Sequence, residues 1–189
     1  MVTPMLRPDV FGALATHAGD AQFDLAYRPE FPLRARQLRD QYDGSYDKFF
    51  ADFHSRAGRN SHQDLELLEM YGYAAAYSAE ADGTVRLPFD DTGAVVPDVW
   101  DRWLAKDPVV MARQPQYAAA LRSLRAVWID AGRQDEYYLD LGALAFRRAA
   151  EGAGVADQRV FFELFDGKHG GIEYRYPLAV AWLCRQLTG

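Results

Sequence analysis

The chain has 189 residues, 49% of them hydrophobic and 14% aromatic, enough apolar material to bury one sizeable core and unlike the composition of a disordered segment. Its formal net charge of -6 and the lack of any basic run argue against nucleic acid or an anionic membrane as partner, since both select for clustered Lys and Arg. A single cysteine, Cys184, leaves no intramolecular disulfide and no cysteine-based zinc cluster.

In chain order, residues 1–7 carry neither a positively charged n-region nor a long apolar h-region. No apolar run reaches the length of a membrane span, so the chain reads as soluble, unexported and cytoplasmic. Residues 1–6 predict the tail of a helix that Pro8 helps to end. The apolar run VFGALAT at 10–16 suits a strand buried on both faces, with His17 and Asp20 at its carboxyl end.

From 24 to about 115 the pattern turns helical and irregular, with no stretch suited to continuing a parallel sheet. It reads as a helical, lid-like insertion over the site, within a single domain. Residues 32–41 and 46–54 have the spacing and charge of short surface helices. Ser61 and Asp64 have capping-box form ahead of Leu67, Met70, Tyr71 and Ala74, which repeat at helical spacing. Asp82-Gly83 and Asp91-Thr92-Gly93 are turn signals on either side of an extended segment at 84–89, which contains Pro88. Pro97-Asp98 opens a helix carrying Trp100, Trp103 and Leu104, and 115–122 predicts one more.

The last third is regular. LRAVWID at 124–130 predicts a short buried strand closed by Ala131-Gly132, and Asp135 follows on the loop before a helix whose inner face is Leu139, Gly142, Ala143, Phe146 and Ala150. VFFEL at 160–164 predicts another strand, stopped by Asp166-Gly167, and His169 lies just beyond it on a glycine-flanked loop. Val180, Leu183, Cys184 and Leu187 fall at helical spacing, which puts Cys184 in the core as a small hydrophobe.

These elements define an α/β protein with three parallel strands, adjacent in sequence order and covered by helices on both faces. In open α/β sheets ligands and chemistry collect outside the carboxyl ends of the strands, where both Asp135 and His169 fall. Strand, acid, helix, strand, histidine, helix is the order in which α/β-hydrolases deliver the last two members of a Ser, Asp/Glu, His triad.

The segments AVWIDAGRQDEYYLDLGA and VFFELFDGKHGGIEYRYP, followed by an amphipathic helix, resemble the C-terminal portion of the α/β-hydrolase esterases of the esterase D and enterochelin-esterase-like group. The opening MVTPMLRPDVFGALATHAGD is similar to the same group, and VWDRWLAKDPVV more loosely so. The resemblance implies a truncated α/β-hydrolase fold in which Asp135 is the triad acid and His169 the general base. It also implies that the nucleophile elbow precedes Met1, together with both oxyanion-hole donors. The implied activity is that of a serine carboxylesterase acting on a small-molecule acyl ester or thioester, weak or absent in this chain alone. The edge left by the missing strand implies self-association, most simply as a homodimer, the alternative being that the insertion folds back over the edge and the chain stays a monomer.

Plainer readings stand beside these. Asp135 also fits an acid stabilised at a helix N-terminus, Asp130 competes with it for the triad role, and Glu136 reads as first-turn helix chemistry. His169 also fits an ordinary polar loop residue. His17 reads as a substrate-pocket wall or a structural residue, and His54 and His62 face solvent. A metal site built from His17, Asp20, Asp130, Asp135 and His169 is the chemical alternative, but no ligand spacing supports it, so neither metal nor cofactor is expected. Ser45, Ser55, Ser61, Ser78 and Ser123 all lie outside any G-x-S-x-G turn, which leaves a non-catalytic module that self-associates as the other class of function.

Overall fold

The computed structural model describes residues 1–58 and 61–188. Its sheet consists of β1 (Ala13–His17), β2 (Ala126–Gly132) and β3 (Val160–Phe165), all parallel and hydrogen-bonded in that order. Every residue of β2 is buried, as a central strand covered on both faces must be. The three strands are those expected from the sequence, with β1 starting at Ala13 and β2 starting at Ala126 and continuing through the Ala131-Gly132 pair expected to close it. Val10 and Phe11 belong to a turn in which both backbone N–H groups donate to the Arg7 carbonyl, and they stay 58% and 39% exposed. The sequence pattern could not separate a buried apolar pair from an exposed one.

Among the described residues there are also two 3-10 helices, Arg28–Glu30 and Asp157–Arg159, and ten α-helices: α1 (Val2–Leu6), α2 (Phe23–Ala26), α3 (Phe31–Tyr42), α4 (Tyr46–Ser55), α5 (His62–Ser78), α6 (Pro97–Leu104), α7 (Pro108–Met111), α8 (Pro115–Ser123), α9 (Leu139–Gly152) and α10 (Arg175–Thr188). The chain divides into two compact units. The first combines Met1–Ala26 with Ala105–Gly189 and holds the sheet; the second is Tyr27–Leu104. The second unit's bounds fall inside those of the expected insertion, because α7 and α8 belong with the sheet.

In the first unit α9 packs against β2, and α10 against β1 and β2. Leu139, Gly142, Ala143, Phe146 and Ala150 of α9 are all buried, the face that the spacing predicts. Gly142 is required there by proximity, since a Cβ would stand 2.6 Å from the Ala21 carbonyl oxygen.

The expectation for α10 is corrected. Cys184 is exposed and Val180 is 59% exposed, while Arg175 and Ala179 are the buried residues. Trp182, one turn beyond Ala179, has its ring 5.8 Å from that of Trp128 in β2. The helix is turned about its axis by Arg175, whose partners lie in the sheet. A spacing rule that counts only apolar residues does not include that anchor.

The second unit is helical, with two small antiparallel bridges, Ala79 to Val85 and Phe89 to Val95, whose tips are the two turn signals. Gly93 at one tip has φ +84, and a Cβ on it would stand 2.6 Å from Pro32 Cα. The Ser61 and Asp64 capping box opens α5 as expected, with Asp64 also paired to Arg56 at 2.8 Å. The helices expected on the surface present aromatic faces inward. Phe31 and Phe49 are 1% and 0% exposed, and Leu38, Phe49 and Leu67 form a core cluster. Beside Phe31, Tyr27 and Trp100, Trp103 donates its Nε1–H to Ser78 Oγ at 2.9 Å.

Candidate active site

The carboxyl ends of β2 and β3 are tied together by their backbones. Arg133 N–H donates to the Phe165 carbonyl and Gln134 N–H to the Gly167 carbonyl, both at 2.9 Å, while Arg133 Nε donates to the Leu164 carbonyl at 2.7 Å. Glu136 Oε2 accepts the His169 backbone N–H at 3.2 Å. Hydrogen bonds to its own backbone N–H and to that of His169 hold the Glu136 carboxyl below its usual range. The first-turn helix reading of Glu136 is thus corrected: it lies in the turn before α9 and fastens the histidine loop.

Asp135 is fixed at both oxygens. Oδ1 accepts the backbone N–H groups of Tyr137 at 2.9 Å and Leu139 at 3.4 Å, serving donors at the start of α9 that no helical carbonyl reaches. Oδ2 stands 3.1 Å from His169 Nδ1. A carboxylate only accepts, so in the neutral ring Nδ1 carries the proton and Nε2 keeps its lone pair. The Asp135 side chain is fully buried and that of His169 is 42% exposed, so the acid is shielded and the ring reaches solvent. The Tyr137 ring meets the imidazole edge-on, with centroids 5.1 Å apart. Tyr138, which precedes α9, has the uncommon φ of +61, a strained conformation beside the site.

A second histidine–aspartate pair occupies one rung of the sheet. His17, Asp130 and Glu163 are register partners across β1, β2 and β3. His17 Nδ1 is 2.7 Å from Asp130 Oδ1, and Asp130 Oδ2 accepts from Trp128 Nε1 at 2.8 Å and Arg175 Nε at 2.9 Å. Arg175 also pairs with Glu163 and lies over the Phe165 ring, 4.8 Å from its centroid. Burial alone would lower the Arg175 pKa, but the hydrogen bonds to Glu163 and Asp130 outweigh it and raise it. Asp130 is thereby fully engaged away from His169. His17 is engaged with it, and its ring lies 4.9 Å from that of Tyr176.

The five metal candidates therefore contain two separate pairs, and among the described residues no group of three or more His, Cys, Asp or Glu side chains is placed to hold a metal ion. The serines have local work. Ser45 and Ser61 cap α4 and α5, Ser55 and Ser123 donate to the carbonyls of Asp52 and Ala120, and Ser78 bonds within the aromatic core. His62 is 74% exposed beside Glu66, and His54 stacks on Phe50. Among the described residues no helix is long and apolar enough to cross a membrane.

The Arg175 network went unnoticed in the sequence. One signal was present: a lone aspartate in an otherwise apolar buried strand must find a cation or several donors.

Compared with known protein families and with curated proteins, the chain matches no family model and no curated sequence.

Proposed function

We propose that Asp135 and His169 are the acid and general base of a serine-hydrolase-type site acting on a small-molecule acyl ester or thioester. The observation that carries this reading is the 3.1 Å contact between Asp135 Oδ2 and His169 Nδ1, with the acid buried and the ring in reach of solvent. An imidazole held in that tautomer offers Nε2 to take a proton from an attacking hydroxyl and return it to the leaving group. The parallel sheet with acid and base beyond successive strands supports the likeness to the α/β-hydrolase esterases. In this reading the chain supplies base and acid, and because its five serines are engaged elsewhere, the hydroxyl that His169 deprotonates in the isolated chain is that of water. Hydrolysis of p-nitrophenyl acetate tests it. Slow turnover by the chain should be lost in His169→Ala and reduced in Asp135→Asn; equal rates for the original chain and His169→Ala would remove the proposal.

A second reading, a module that self-associates, is supported by the open edge of β1 and the apolar residues around it. β1 pairs on one side only, and Leu6, Val10 and Phe11 just before it are 54%, 58% and 39% exposed. A second copy of the chain would cover them in a symmetric dimer. Light scattering should then report a dimer that Val10→Asp with Phe11→Asp converts to monomer; a monomer at every concentration refutes it.

A further inference from the structure

A groove of about 490 Å³ lies within the first unit, walled by the ends of α7, α8 and α9 and by Gln22. Three of its lining residues are arginines, Arg113, Arg122 and Arg148, and none is an acid or an aromatic. In a chain of net charge -6 that concentration of positive charge runs against the composition. Among the described residues neither Arg113 nor Arg148 has an ion-pair or side-chain hydrogen-bond partner. Arg122 is pre-positioned, with Nη1 donating to the Ala153 carbonyl at 2.7 Å.

Gln22, another lining residue, is fixed as well. Gln22 adopts φ +58, an uncommon conformation for a residue with a side chain. It is held by Asp107, whose carboxylate accepts the backbone N–H groups of Gln22, Phe23 and Val109 at 3.1, 2.8 and 2.9 Å. The Asp107 carboxylate is therefore committed to the backbone, and it lies outside the groove lining. Ala149 and Ala153 contribute no bulk, which lets a ligand approach the helix closely.

We infer that this groove binds a small molecule bearing two or more oxyanion groups, phosphate or carboxylate. The planar guanidinium fork matches either oxyanion in two-point hydrogen bonding. The volume is that of a small-ligand pocket. The lack of an aromatic wall leaves no stacking surface for a nucleobase, so the ligand's body is compact or aliphatic. The site is independent of the His169 chemistry. It lies on the C-terminal half of α9, whereas Asp135 engages that helix at Leu139.

Isothermal titration of the full chain with inorganic pyrophosphate and, separately, with citrate, at matched ionic strength, tests the inference. Saturable binding of one probe per chain is expected, weakened about ten-fold or more in the Arg113→Gln, Arg148→Gln double variant, which loses two charge-assisted contacts. Both residues are exposed, so the variant should keep the far-ultraviolet circular dichroism of the original chain. Arg185→Gln, an exposed change on α10, should leave binding unaltered. Binding of pyrophosphate alone assigns the groove to phosphates, of citrate alone to carboxylates, and of both to oxyanions in general. No saturable heat with either probe, or binding unchanged in the double variant, overturns the inference. p-Nitrophenyl acetate turnover by the double variant should be unchanged, which separates this site from the proposed triad pair.

Discussion

Gly132 passes directly under the carbonyl groups of Gly167 and Lys168, so closely that a methyl group on Gly132 would stand 2.7 Å from the Gly167 carbonyl carbon. That absence of a side chain lets the β3 loop lie across the end of β2, and it thereby fixes where His169 begins. Gly132→Ala should destabilise the chain by about 2 kcal/mol, the usual scale of overpacking a tight contact. It should also abolish the ester hydrolysis proposed for His169. Gly72→Ala is the contrasting change. Gly72 sits within α5 with nothing within 4 Å of an added Cβ, and a gain of about 0.5 to 1 kcal/mol is expected. Urea midpoints of the two variants decide both claims.

The two aspartates should separate cleanly. Asp130→Asn removes the charge that Arg175 and His17 share, and a loss of about 3 kcal/mol is expected for breaking a buried ionic network from one side. Asp135→Asn should cost less stability and more hydrolysis, because its partner ring reaches water. Stability and p-nitrophenyl acetate rates measured on both variants check this. The opposite pattern would assign the acid role to Asp130.

Acid should loosen the second unit through Asp64. The hydrogen bond from Arg56, opposed by burial and aided by the Ser61 backbone and hydroxyl, holds this carboxyl far below its usual value. A depressed folded-state pKa means that the contribution is complete above the usual carboxylate value of about 4 and fades as pH falls toward the folded value. The stability gap between the original chain and Asp64→Asn should therefore be constant near neutral pH and narrow progressively on acidification. A gap that widened in acid would contradict the pairing.

Cys184 should react readily. Because α10 is turned to bury Arg175 and Ala179, the thiol stands on the exposed side. One equivalent of Ellman's reagent should be consumed by the native chain without denaturant, at a rate close to that of the unfolded chain. Protection of the thiol would return it to the core.

What the sequence showed and what it hid follow from the range of each interaction. The strands were legible because runs such as AVWID and VFFEL are closed by glycine within a short window. The inner face of α9 was legible because it repeats at helical spacing. Asp135 and His169 were marked by position, each just past a strand. The rung of His17, Asp130 and Glu163 was not legible, since it depends on the register of three strands far apart in the chain. The orientation of α10 followed from that rung through Arg175, and so it was hidden for the same reason.

The order in which the sheet is assembled along the chain also bears on how it folds. His17 and Asp130, neighbours on one rung, are 113 residues apart, whereas Asp135 and His169 at the mouth of β2 and β3 are separated by 34. Closing the longer loop costs about 1 kcal/mol more chain entropy than the shorter one. The β2, α9 and β3 segment should therefore condense first and form the nucleus, with β1 docking onto a preformed edge late in the reaction. Changes at Ile129 or Phe146 should slow refolding, and changes at Leu14 should chiefly hasten unfolding.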